Sequence, residues 1–373
     1  MANYPGVSVV ICTRDRIEHL NRCITSLMNQ SYVPKEIIIV DDASAERFDI
    51  LSALQNAFSY IKRFAKSEKS KIHVKYIRNK QRCGIVKSRN IGIAASRSDV
   101  IAFIDDDGYA HKDWIKNMAK HYENRKVVGV GGAVIETGRK VETKRKIKRA
   151  SYITSHGDIK HHYRIKNLKE IKNLHPSSVR FLMGGNMSFR KEALFRINGF
   201  DPKYKGNYYR EETDLCLRAS KLGKIIFEPN AVAYHTTARH GGTRDISRLK
   251  DFLYWYFRNT SLLFMRHFDS EKAIKKIYRH SKKYVVEMSK GKFRINRDYL
   301  IIESLFKITI AIITGMVFGI LIGIFSRPIK RLVYKNPEYV ITATLVLTGA
   351  TVQLLDARML NTPDLFNKVL QDM

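Results

Sequence analysis

Short apolar runs alternate with amphipathic stretches over the first 110 positions of the chain. Residues 7–12 and 36–40 are almost continuously apolar, as in strands of a parallel sheet covered on both faces. Between them Leu20, Cys23, Ile24, Leu27 and Met28 recur at helical spacing. Further along, the pattern predicts a helix over about 47–64, a strand at 73–77, a loop running into a helix at 84–95, and a strand ending at Asp105. Strand–helix alternation of this kind predicts βαβ units and a Rossmann-like, doubly wound α/β sheet. Ligands bind such sheets beyond the carboxyl ends of the strands. Thr13, Asp41, Asp42 and the run Asp105-Asp106-Asp107 all fall there.

The second half is less regular. Residues 127–135 predict a strand whose glycines, Gly129, Gly131 and Gly132, permit close backbone approach. From 139 to 172 the composition shifts to 12 Lys or Arg against Glu142, Asp158 and Glu170, which reads as a basic insertion. A patterned stretch at 181–189 leads into a short helix at 191–197 ended by Asn198-Gly199. Leu215, Leu217 and Leu222 predict a helix stopped at Gly223, and two short strands follow at 224–227 and 231–235. From 246 onward the chain reads as helical, basic and aromatic.

Charge narrows the partners. A formal +32 over 373 residues calls for something anionic: nucleic acid, anionic lipid or a phosphorylated substrate. Cys12, Cys23, Cys83 and Cys216 are scattered, without metal-binding or disulfide spacing, and read as reduced thiols facing the cytosol. The opening residues lack the basic and apolar regions of a secretory signal, so none is expected. Residues 308–326 form a 19-residue stretch without charge, about 28 Å as a helix against roughly 30 Å of bilayer hydrocarbon. Gly315, Gly319 and Gly323 recur there at the spacing of close-packed membrane helices, and 339–355 is a second uncharged stretch. The expectation is a membrane-associated C-terminal segment, as one span or as a hairpin. The basic residues over 272–297 favour a cytoplasmic catalytic domain.

Three adjacent carboxylates at a strand end repel one another and are costly to desolvate. A divalent cation such as Mg²⁺ or Mn²⁺ relieves that repulsion and shares its remaining coordination with substrate phosphates. Asp41 and Asp42 can accept hydrogen bonds from uncharged parts of a nucleotide, Thr13 and Arg14 lie beside them, and Arg89 can pair with a base, a phosphate or another side chain.

In order and spacing, residues 5–265 resemble the family 2 glycosyltransferases of GT-A fold. The resemblance rests on 7–13, on Ile37–Ser44, on Gly84 with Ser88-Arg89-Asn90-Ile91-Gly92, and on 103–107. It continues through Gly184-Gly185-Asn186-Met187-Ser188-Phe189-Arg190, Gly199-Phe200-Asp201, and Glu211-Glu212-Thr213-Asp214-Leu215. It implies a nucleotide diphospho-sugar donor, most simply a UDP-sugar, with Asp42 on the base and Asp106 among the donor contacts. Asp105 and Asp107 would bracket a Mn²⁺ or Mg²⁺ ion, and His235 matches a histidine that ligates the metal in some members. Glu212 stands where the family usually has a basic-acting aspartate, with Glu211 and Asp214 as alternatives; Asp214 reads equally as a helix cap. Gly184, Gly185 and Asn186 would lie beneath sugar or acceptor, and Arg239, His240 and Arg244 would belong to a loop over the diphosphate. The implied organisation is a nucleotide-sugar half at 1–125, a metal and acceptor half at 126–245, basic helices at 246–298 and the membrane segment at 299–373. The acceptor would be a saccharide or polyprenyl-linked glycan at the cell membrane, in contact with membrane lipid.

Two other classes compete. A nucleic-acid-binding protein would explain the charge, but no zinc-finger, RNP-like or helix-turn-helix pattern is present and clustered carboxylates repel a phosphate backbone, so no nucleic-acid partner is expected. A sugar-nucleotide pyrophosphorylase would need a Gly-rich, Lys-bearing loop after the first strand, where this chain has Thr13-Arg14-Asp15-Arg16.

Overall fold

The structure is a computed structural model that describes residues 4–45, 72–137, 151–154, 159–161, 164–165, 167–236, 238, 241, 249–289, 313–314, 316–317 and 320. The expected helix over 47–64, most of the basic insertion, and Arg239, His240 and Arg244 lie outside the described residues. So do most of 308–326 and all of 339–355. No helix among the described residues is long and apolar enough to cross a membrane.

The chain divides into two compact units, the first comprising Met1–Tyr152, Ile159–Tyr204 and Glu211–Asp245. It opens with β1 (Val7–Thr13), α1 (Ile17–Met28), β2 (Glu36–Asp41), β3 (His73–Arg78), α2 (Ile85–Ala95), β4 (Val100–Asp105), β5 (Gly108–Ala110) and α3 (Trp114–Ala119). There follow β6 (Val127–Thr137), β7 (Ser151–Ile153), β8 (Ile159–His161), β9 (Arg164–Ile165), β10 (Ser177–Val179), β11 (Asn186–Arg190), α4 (Lys191–Arg196), α5 (Glu211–Ala219) and β12 (Lys224–Thr236). The main sheet runs β10-β12-β6-β11-β4-β1-β2-β3, with β5 on β12 and β9 on β6, and β7 pairs with β8 apart from it. Strands β3, β2, β1 and β4 are parallel, whereas β11 is antiparallel to both β4 and β6. The sheet is therefore mixed and continuous across residue 125.

Continuous apolar runs become central strands because both faces are covered. Ile37, Ile38, Ile39 and Val40 are each fully buried. Val9 and Ile11 of β1 share one core with Leu20, Cys23, Ile24, Leu27 and Met28 of α1, the residues that recur at helical spacing. In β6, a Cβ on Gly132 would lie 1.7 Å from the Ala231 carbonyl oxygen, so only glycine lets β12 approach there.

Two stretches depart from the pattern. Residues 224–227 and 231–235 belong to one strand, β12, whose register against β6 shifts between Glu228 and Ala233. Pro229 has no N–H to give the ladder, and the Glu228 carboxylate takes the Asn230 amide instead, so the polar break marks a bulge rather than a strand end. Helix α5 begins at Glu211, ahead of the apolar spacing that starts at Leu215. That start places Glu211, Glu212 and Asp214 in its first turn, where the helix dipole favours negative charge.

The second unit comprises Ile153–Asp158, Lys205–Arg210 and Ile246 onward. Its helices α6 (Leu249–His267) and α7 (Ser270–Ser289) bury Leu253, Phe257, Phe264, Ala273 and Ile277. Within it, the Tyr256 hydroxyl lies 3.1 Å from His280 Nε2 and accepts from Arg210 Nη2 at 3.2 Å.

Candidate functional site

The parallel register aligns the strand ends. Thr13 lies beside Asp41 and Cys12 beside Asp105, so β1, β2 and β4 deliver their terminal polar residues to one edge. Asp41 is fully buried and its carboxylate is engaged by the chain itself. It accepts from the Ser44 amide at 2.9 Å, the Ser44 hydroxyl at 2.6 Å, the Tyr76 hydroxyl at 2.7 Å and Arg78 at 3.2 Å. Those four bonds give it the job of fixing the end of β2, in place of the donor contact expected of it.

Asp42 is set differently. Its Oδ1 accepts from the Cys83 amide at 2.8 Å and Asn79 Nδ2 at 2.9 Å, and its Oδ2 from the Gly84 amide at 2.8 Å. Burial works against the charge, but these hydrogen bonds outweigh it and hold the pKa below its ordinary value. Asp42 thus ties the end of β2 to the start of α2, and Ala43 after it adopts a left-handed φ of 57°. Arg14, half-buried, lies 3.3 Å from Asp15.

The acidic triple is compensated from three directions. The Thr13 hydroxyl donates to Asp106 Oδ2 at 2.9 Å, and Arg16 Nη1 reaches Asp106 Oδ1 at 2.8 Å and Asp107 Oδ2 at 3.3 Å. Burial pushes the Asp106 carboxyl upward, with Arg16 pulling against it. Asp107 also accepts the Ala238 amide at 3.2 Å, while its Oδ1 lies 3.2 Å from His235 Nε2. Strand β12 brings His235 there by pairing it with Gly108 of β5 and with Glu136 of β6. The Glu136 carboxylate lies 3.1 Å from His235 Nδ1 and is itself paired with Arg164 at 3.1 Å. Burial opposes a charged imidazole, yet the bonds to Asp107 and Glu136 carry its pKa up to about 10.

One donor atom each from Asp105, Asp107 and His235 lies within 4.8 Å of the others. Two carboxylate oxygens and an imidazole nitrogen, oriented from behind by a carboxylate on the far ring nitrogen, fit a divalent ion of the Mn²⁺ or Mg²⁺ kind. Asp105 is the most open of the triple, its side chain 32% exposed.

Arg89, from α2, joins this cluster to α5. Buried to 4% exposure, it donates to Glu211 Oε1 at 2.5 Å, to Asp105 Oδ1 at 3.1 Å and to the Gly184 carbonyl at 3.1 Å. Its guanidinium is occupied by protein carboxylates, the ion-pair alternative that the sequence left open. Burial pushes the Glu211 carboxyl up to about 8 against the pull of Arg89, and Glu211 Oε2 is buried without a hydrogen-bond partner. Glu212 is half-buried. Asp214 is fully buried inside the first turn and pairs with Arg218 at 2.7 Å, which makes it a brace within the helix rather than a cap.

The glycines make room for this chain's own side chains. A Cβ on Gly185 would lie 2.4 Å from Asp105 Oδ2, and one on Gly184 would lie 3.3 Å from the Arg89 nitrogens. Asn186 is fully buried, its oxygen accepting from Trp114 Nε1 at 2.7 Å and its nitrogen donating to the Ala133 and Ala231 carbonyls. It locks β11 in place.

The structure therefore brings together Thr13, Asp105, Asp106, Asp107, His235, Arg89 and Glu211, with Asp42 on the neighbouring strand end. Arg16 and Glu136 also belong here, although neither stood out in the sequence. Their partners lie 90 and 99 residues away, so only the sheet register reveals them.

The sequence model for "Glycosyl transferase family 2" matches residues 8–197, and that for the "N-terminal domain of galactosyltransferase" matches 170–241. The glucosyl-dolichyl phosphate glucuronosyltransferase of Haloferax volcanii is 28% identical over 240 residues, 61% of this chain and 68% of that protein. Human polypeptide N-acetylgalactosaminyltransferase 13 is 35% identical over 128 residues, 33% of this chain and only 21% of that protein. Among solved structures, TarS 1–349 of S. aureus in complex with UDP-GlcNAc superposes with a TM-score of 0.56 at 15% identity, covering 98% of this chain and 90% of that one. At such identity the likeness shows the fold alone.

Proposed function

The chain belongs to glycosyl transferase family 2, and from that premise we propose an inverting, divalent-metal-dependent transfer of sugar from a UDP-sugar to a hydroxyl of a saccharide or polyprenyl-linked acceptor. The observation that carries this reading is the meeting of Asp105, Asp107 and His235 within 4.8 Å, joined through Arg89 to Glu211. Those three residues would hold Mn²⁺ or Mg²⁺, which when bound supplies Lewis-acid stabilisation of the departing nucleoside diphosphate. Asp42 and Thr13 would meet the nucleoside, with Arg14 beside them.

Among the three acids of α5, Glu212 is assigned as the general base. Glu211 is 5% exposed and Asp214 fully buried, so an acceptor hydroxyl would reach neither carboxylate. Glu212 adjoins both and is the one of the three that solvent reaches. A dolichyl-linked substrate in the name of the H. volcanii relative supports a polyprenyl-linked acceptor, and the basic α6–α7 region supports anionic membrane lipid on the cytoplasmic side.

The test is a thermal-shift series of UDP, other nucleoside diphosphates and their sugars, with and without Mn²⁺, followed by release of UDP on adding acceptor. UDP should raise the melting point mainly when Mn²⁺ is present, because ligands that bind only the native state stabilise it. Glu212→Gln should lower kcat by about 10²–10⁴ while donor affinity stays within about twofold. Normal turnover in that variant would move the base elsewhere, and a shift with nucleic acid but with no sugar nucleotide would overturn the transferase reading.

A further inference from the structure

Arg16 leaves the loop after β1 and enters the acidic cluster, its side chain only 7% exposed. One arm, Nη1, bridges Asp106 and Asp107, and the other, Nη2, donates to the Gly241 carbonyl at 2.8 Å. Asp107 is then shared: His235 lies on Oδ1 and Arg16 on Oδ2. A guanidinium keeps its charge at every physiological pH, so Asp107 carries a fixed neighbouring cation on the very carboxylate that would ligate a metal. A divalent ion arriving there meets a like charge a few ångströms away, a repulsion worth at least about tenfold in affinity inside a partly buried site. The same planar fork pairs bidentately with phosphate oxygens once they are present.

We propose that Arg16 is the resident cation of the donor site. It neutralises Asp106 and Asp107 before metal arrives, and it holds metal affinity low until a nucleoside diphosphate supplies new anionic partners for the guanidinium. Metal and nucleotide thereby bind cooperatively, each tightening the other by the same factor. This inference rests on the metal reading given above.

The experiment measures Mn²⁺ binding to the whole 373-residue chain by the loss of the free-ion EPR signal, with and without UDP. In the unsubstituted protein UDP should tighten Mn²⁺ binding at least about tenfold. Arg16→Gln should bind Mn²⁺ about tenfold more tightly without UDP and lose a matching share of the UDP effect. Arg16→Lys, which keeps the charge, should bind Mn²⁺ without UDP within about threefold of the unsubstituted protein. Equal or weaker binding in Arg16→Gln overturns the proposal, since a merely structural arginine would weaken the site when removed. Tightening in Arg16→Lys as large as in Arg16→Gln overturns it as well. If Arg16→Gln does not fold, the UDP effect in the unsubstituted protein decides: Mn²⁺ binding indifferent to UDP sinks the proposal and leaves the metal site standing. No Mn²⁺ binding under either condition sinks both.

Discussion

At the end of β2, Asp42 takes its hydrogen bonds from the Cys83 and Gly84 amides and from Asn79. At the end of β4, Asp106 and Asp107 take theirs chiefly from Arg16 and His235, with Thr13 and one amide besides. The first arrangement is neutral and largely main-chain, fixed once α2 has packed. The second is built chiefly from side-chain cations, the groups that a metal ion would displace on the reading proposed above. One sheet thus holds a carboxylate met by neutral donors and a pair met mainly by charged ones. Stability should follow the first, which would also meet the nucleoside, and metal dependence the second.

Asp107→Ala should sharpen that contrast most. Transfer should fall by at least about 10³-fold in kcat/KM, as expected when a metal ligand is removed. The metal-free melting point should change little, because relief of carboxylate repulsion offsets the lost ion pairs. Mn²⁺ should no longer raise the melting point, as followed by calorimetry. A large metal-free destabilisation would show that the cation-held pair is structural after all.

Asp42→Asn should show first in stability. An amide in that place cannot accept from three donors without turning its own N–H₂ toward one of them, so the loss should be about 1–3 kcal/mol of stability by urea unfolding, with or without Mn²⁺. The pH dependence follows from the lowered pKa. A carboxylate whose folded pKa lies below its unfolded value adds stability above the ordinary 3.8, and that share disappears as pH falls through the folded value. The variant should lack this part of the acid sensitivity.

Gly185→Ala should have the smallest overall effect of the three, and one selective for the site. Its methyl carbon, 2.4 Å from Asp105 Oδ2, must displace that carboxylate, at a cost of about 1–2 kcal/mol. Mn²⁺ affinity should weaken while UDP binding without metal is unchanged, which titration calorimetry of each ligand would read. Unaltered Mn²⁺ affinity would remove Asp105 from the set that holds the ion.

Strands β1, β2 and β4 were legible because burial on both faces leaves nearly unbroken apolar runs. Asp105–Asp107 was legible because adjacent charges at a strand end have no folding purpose. Helix α5 and β12 were read less well. The start of α5 is polar, and the Glu228-Pro229-Asn230 bulge imitates a strand end. What the chain order hides is side-chain partnership across the sheet. Arg89 finds partners 16, 95 and 122 residues away, and nothing local announces that its charge is already taken. Asn186 and Asp41 show the same thing: both are fully buried and bonded to groups of the chain itself, which their letters do not reveal.

The bulge in β12 has one more consequence. His235 reaches Asp107 only because a fixed number of residues separates it from the register shift at Glu228–Ala233. Side chains alternate faces along a strand, so inserting or deleting a single position in that interval would swing the imidazole to the opposite side and bring a neighbour, Tyr234 or Thr236, into its place. This spacing works as a combination lock with one setting.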